Sequence, residues 1–134
     1  MLFRSDAARG RGIYDDLILA DLETALAAEG RSYDLVLAAD TIIYIGDLSV
    51  VFTGVIKRLE AGGFFVFTCE SKDGEGWEQT EANRFRHSES YLRDTVARAG
   101  YVFAHLTACE LRNESSKPVA GFAVALQKPV TPPA

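Results

Sequence analysis

Residues 101–128, YVFAHLTACELRNESSKPVAGFAVALQK, hold two apolar, strand-like runs, 101–112 and 122–128, joined by the polar link 113–117. The link is too short for a crossover helix. A parallel return needs a dozen or more residues, so these two strands must pair antiparallel. The chain therefore closes on a β-hairpin.

Upstream, strands and helices alternate. Residues 33–39, YDLVLAA, form a continuous apolar run closed by Asp40, the pattern of a strand buried on both faces. Residues 64–69, FFVFTC, read the same way. The shorter run 14–21, YDDLILAD, fits a brief buried strand ending at Asp21. Residues 22–29 are Ala-rich and helical in propensity, and Gly30 stops them. Leu48, Val51, Phe52, Val55 and Leu59 recur at steps of three and four, so 48–59 is expected to be a helix. Asp47 is placed to cap it, and Gly62-Gly63 to end it. A further helix is expected over 88–99, with Tyr91, Leu92, Thr95, Val96 and Ala99 on one side and Gly100 as its stop.

Residues 71–86 are polar and acidic and read as a surface loop, long enough to serve as a lid or substrate wall. Trp77 stands out within it, because an exposed indole often covers a ligand or partner. The order of elements implies one α/β domain over 1–134, three-layered around a mostly parallel sheet, with a loose tail over 129–134. The terminal hairpin is the departure from a purely parallel pattern.

The formal net charge of −5 offers no basic footprint for nucleic acid, and argues against anionic membranes. No apolar run approaches the length of a bilayer span, and Met1 is followed by Arg4, Asp6, Arg9 and Arg11 rather than an apolar leader. A cytoplasmic location is expected. Cys69 and Cys109 show no metal-ligand spacing and read as reduced, buried thiols, so no metal site is expected.

Three stretches resemble the class I S-adenosylmethionine-dependent methyltransferases. YDLVLAADTIIYIGDL (33–48) resembles their fourth strand and the turn after it. LEAGGFFVFT (59–68) resembles the approach to their fifth strand, with Ala61 in place of the usual proline. RFRHSESYL (84–92), followed by Ala99-Gly100-Tyr101, resembles their last helix and the start of strand six. The wording is similar to predicted bacterial methyltransferases associated with tetratricopeptide repeats. The resemblance implies a Rossmann-like three-layer sandwich with an antiparallel C-terminal hairpin. It aligns 14–21 with the third strand, so the first two strands are expected to be lacking. No glycine-rich cofactor turn appears; Arg9-Gly-Arg-Gly12 has no apolar strand before it.

By the same resemblance, S-adenosyl-L-methionine is the cofactor. Asp21 and Leu22 would hold its adenine, and Ala39, Asp40 and Thr41 would border its methionine part. The plainer reading makes Asp21 a helix cap and Asp40 a strand terminator. Tyr44, Arg84, His87 and Tyr91 are candidates for the substrate side, against the plainer reading of a core tyrosine and a solvated, helix-start histidine. No catalytic residue is named, because a methyl activated on sulfur needs mainly orientation and desolvation.

The expected activity is methyl transfer to a small molecule in an intact enzyme, this chain being an incomplete copy. The alternative is a non-catalytic module that binds a partner chain, or a second copy of itself, through the sheet edge that absent strands leave exposed at 35–39. A nucleotide-binding oxidoreductase fits less well, since it usually has no terminal hairpin.

Overall fold

The computed structural model describes residues 2–3, 32–39, 41–80, 83–114 and 116–130. The predicted strand 14–21 and helix 22–29 lie outside the described residues. The elements are β1 (Leu2–Phe3), β2 (Tyr33–Ala38), a 3-10 turn (Ile42–Tyr44), α1 (Ser49–Arg58), β3 (Leu59–Lys72), β4 (Trp77–Gln79), β5 (Phe85–Ser88), α2 (Glu89–Ala99), β6 (Val102–Glu114) and β7 (Lys117–Gln127).

All seven of these strands share one sheet. β1, β2 and β3 are parallel neighbours, with Leu37 opposite Leu2 and Val66. On the other side of β3 lies β7, antiparallel, from Phe64 opposite Gln127 to Glu70 opposite Gly121. β6 pairs antiparallel with β7 from Val102 opposite Gln127 to Glu114 opposite Lys117. The reversed strand is thus interior, and β6 runs in the direction of β3. The hairpin is longer than its apolar runs suggest, because its polar ends still pair. Ser116, at φ +66°, turns it.

β3 outruns β2, whose last pair is Ala38 opposite Phe67, and the overhang on that edge is used. Glu70, Ser71 and Lys72 pair with Arg86, His87 and Ser88 of β5, and β4 pairs antiparallel with β5. The expected loop over 71–86 is therefore partly sheet, at 71–72, 77–79 and 85–86. Strands of three and four residues are too short to carry a readable alternation, but their backbone groups still need partners.

Both described helices pack on one face of the sheet. Phe52 of α1 meets Phe65, Phe67 and Tyr101 at ring-centroid distances of 6.1, 5.6 and 6.0 Å. Each such buried ring contributes roughly 1.5–3 kcal/mol. The Tyr101 hydroxyl donates to the Phe52 carbonyl at 2.7 Å, which satisfies its one buried polar atom. In β2, Val36 and Ala38 are buried towards these helices, whereas Leu35 is 47% exposed. Burial of that strand on both faces does not extend to Leu35.

Three local expectations are corrected. The helix expected over 48–59 spans Ser49–Arg58, but Gly62-Gly63 do not end it, since Leu59 already pairs with Tyr33. The glycines serve the strand instead. Gly62 adopts φ +82°, and a Cβ on Gly63 would sit 3.1 Å from the carbonyl oxygens of both Tyr33 and Asp34. Gly62 N donates to Lys128 O and Lys128 N to Gly63 O, each at 2.9 Å, so β3 and the end of β7 close there. Asp47 does not cap α1 from the N-cap position, which Leu48 holds. It accepts from Ser49 N at 3.0 Å and Ser49 Oγ at 2.7 Å, satisfying one orphan backbone donor from one residue further out. The edge of β2 expected to be exposed is paired with β1 at Leu37 and Ala38. By contrast α2 forms as its caps dictate: Ser88 Oγ accepts from Tyr91 N at 3.1 Å, and Gly100 takes the left-handed φ of +93°.

Candidate functional site

The carboxyl ends of parallel strands are where open α/β sheets bind ligands. Here those ends carry the turn after β2, the start of α1 and the β4–β5 ribbon. Ala39 is exposed just beyond β2, and buried Thr41 donates its hydroxyl to the Ala39 carbonyl at 3.2 Å. Asp21, Leu22 and Asp40 lie outside the described residues. Ile42 and Ile43 bury themselves beneath the turn, and Tyr44 is half-buried within it.

Next to this turn opens a cleft of about 290 Å³, lined by Asp47, Ser49 and Thr53 on one side and by Trp77, Tyr91 and Thr95 on the other, with Arg98 and Ala99 at its end. The chain turns Tyr91 into the cleft because the first turn of α2 places it opposite the start of α1. Its hydroxyl accepts from Leu48 N at 2.9 Å and donates to Asp47 Oδ1 at 3.4 Å. Burial raises the Tyr91 pKa, so the phenol stays protonated at neutral pH. Hydrogen bonds from the Ser49 side chain and backbone lower that of Asp47, so the carboxylate stays ionised.

Trp77 is 42% exposed, stands edge-on to Phe85 at 5.5 Å and closes over Gly46. A Cβ on Gly46 would lie 2.6 Å from the indole, so glycine is what lets the ring come down on the turn. His87 lies beneath the same turn, fully buried, with Nε2 2.8 Å from the Gly46 carbonyl. A carbonyl can only accept, so Nε2 carries the proton. Burial pushes the His87 pKa down to about 4, against the opposing hydrogen bond to Gly46. Far from being a solvated cap, His87 is a neutral strut, and Ser88 does the capping.

Of the four residues proposed from sequence for the substrate side, the structure brings Tyr91 into the cleft and His87 directly under its wall. Tyr44 is in the adjoining turn. Arg84 is drawn elsewhere: its Nε meets Glu70 Oε2 at 3.0 Å, and Arg112 reaches the same oxygen at 2.7 Å. Glu70 is 3% exposed, so this is a buried tie between β3, β6 and the start of β5. Asp47 and Thr53 went unassigned in the sequence because Asp47 reads as a cap and Thr53 as one more helical position. The one available signal for Asp47 was its place in the turn following a buried strand.

No protein-family model matches this sequence, and no curated protein does. Solved structures do. A protein from Methanosarcina mazei described as a SAM-dependent methyltransferase superposes with a TM-score of 0.62 at 13% identity, over 80% of this chain and 65% of that one. An O-methyltransferase from a Brevibacillus brevis polyketide synthase, solved with S-adenosyl-L-homocysteine, gives 0.62 at 10% identity, over 76% and 46%. The cyclase SpnF gives 0.63 at 13%, over 80% and 54%. The chain thus spans about two thirds of the first of these and about half of the others. It has the Rossmann-like fold of the S-adenosylmethionine-dependent methyltransferases, and the presence of a cyclase among its neighbours shows that the fold alone does not fix the reaction.

The described residues match such a cofactor only along one flank. Ala39 is small and exposed where a ligand would pass the end of β2. No backbone cradle accompanies it among the described residues, because Gly46 is covered by Trp77, and Gly121 by Leu111 and the Cys69 carbonyl. The residues described do not make a whole S-adenosylmethionine site.

Proposed function

We propose that this chain serves S-adenosyl-L-methionine-dependent methyl transfer to a small molecule, its described residues forming the acceptor side of the domain. The observation that carries this is the reversed β7 held between β3 and β6, with a polar cleft at the carboxyl end of the same sheet. Under this reading Ala39, Asp40 and Thr41 border the methionine part of the cofactor, and Asp21 and Leu22 its adenine. The cofactor supplies a methyl group already activated on sulfur. The work of the chain is to orient the acceptor and exclude water, which suits neutral Tyr91 and the rigid turn that His87 supports. The sequence wording favours the bacterial methyltransferases associated with tetratricopeptide repeats, and the acidic charge favours a small molecule over nucleic acid as acceptor; a cytoplasmic location goes with this reading.

Titration of S-adenosyl-L-homocysteine into the isotope-labelled chain, followed by amide NMR, tests this. Saturable shifts at 21–22 and 39–47, with weak affinity, are expected. No shifts at millimolar ligand, or shifts confined to the turn around Ser116, refute it. Micromolar affinity would refute the incompleteness of the cofactor site.

A further inference from the structure

We propose that the cleft between Asp47 and Trp77 is a recognition subsite for an organic cation, an alkylammonium group carried by the acceptor. This rests on the methyltransferase reading and names its substrate class. Asp47 presents a carboxylate at the mouth of α1, and the hydrogen bonds it accepts from Ser49 and Tyr91 fix its direction. Trp77 is anchored on Gly46 and Phe85 yet 42% exposed, so the indole is held in place with surface left open. A fixed carboxylate and an indole on one small cleft favour a cation over a neutral or anionic group. The segment leading into Trp77 adds Asp73 and Glu75, and it lies against the start of α2 through Ser88 N to Gly76 O at 3.0 Å.

Three features oppose this, and all three are already engaged. Arg98 reaches the end of the cleft, but its guanidinium pairs with Asp94 at 2.8 Å. The positive end of α1 also faces the cleft, but Asp47 takes the Ser49 amide. Lys72 turns back to the carbonyls of Asp73 and Glu75 at 3.0 and 2.8 Å. The ammonium is a handle rather than the methyl acceptor: a nitrogen held as a cation has no lone pair to attack with. The accepting atom therefore lies elsewhere on the same molecule.

Trp77 is the only tryptophan, so its fluorescence reports this cleft and nothing else. The probes are choline, its uncharged analogue with carbon in place of nitrogen, and the carboxylate of matching shape. They are titrated without S-adenosyl-L-homocysteine, so failure here leaves the cofactor experiment standing, and the reverse. Choline is expected to change the emission saturably and to weaken with added salt, the uncharged analogue binding about tenfold less tightly. Asp47→Asn, which keeps an acceptor for the Ser49 amide, should weaken choline by about tenfold. Equal binding of the uncharged analogue overturns the proposal, as does tighter binding of the carboxylate. So does choline affinity that neither salt nor Asp47→Asn alters; the salt series needs no variant to fold.

Discussion

Acidification should destabilise this protein through His87 before most of its carboxylates titrate. In the unfolded chain the imidazole titrates near 6.5, and in the folded chain burial pushes it down to about 4. Above pH 6.5 both states hold a neutral ring and nothing is lost. Between 6.5 and 4 the unfolded state binds a proton that the folded state refuses, so stability falls as pH falls. The slope approaches 1.4 kcal/mol per pH unit, and the whole window removes about 3 kcal/mol. Below pH 4 both states are protonated and this component levels off. A loss of that size is a large share of an ordinary domain's stability, about 5–15 kcal/mol. The diagnostic range is pH 6.5 to 5, where most carboxylates are still ionised, and there about 2 kcal/mol should go. Urea unfolding at closely spaced pH values measures it. His87→Gln can still donate to the Gly46 carbonyl, and it should begin less stable but lose the slope. His105→Gln, on an exposed histidine, should keep it. A flat wild-type profile from 6.5 to 5, or a slope that survives His87→Gln, refutes the buried neutral strut.

Two further substitutions probe the sheet. Gly121→Ala places a Cβ against the Cys69 carbonyl and 2.6 Å from Leu111 Cγ, so β7 must shift away from β3. A loss of about 2–3 kcal/mol in denaturant unfolding is expected, and an unchanged midpoint would mean that β7 is not clamped there. Glu70→Ala leaves Arg84 and Arg112 facing each other without their shared carboxylate. About 3 kcal/mol should be lost, tempered by the partial exposure of both arginines, and a loss below 1 kcal/mol would show the tie to be solvent-screened.

Periodicity made most of the backbone legible. The stripe Val51, Phe52, Val55 is the buried side of α1, and the run FFVFTC is the central strand. Ser88 and Gly100 marked α2 to within a residue. Local rules failed where a distant partner decided the matter. Gly62-Gly63 reads as a helix stop until Tyr33 and Lys128 are seen to pair with the chain on either side of it. Residues 71–86 read as loop because nothing local reveals the free edge of β3 that β5 completes. Tyr91 was reachable from sequence through its motif, but its contact with Asp47 spans 44 positions.

The sequence by itself determined the alternation of strands and helices and the closing hairpin, because periodicity, caps and link length are properties of neighbouring residues. Only the tertiary structure decided that His87 is a buried strut and that Arg84 serves Glu70. Each of these depends on which groups are excluded from water together, and burial is set by the whole packed chain rather than by any stretch of it.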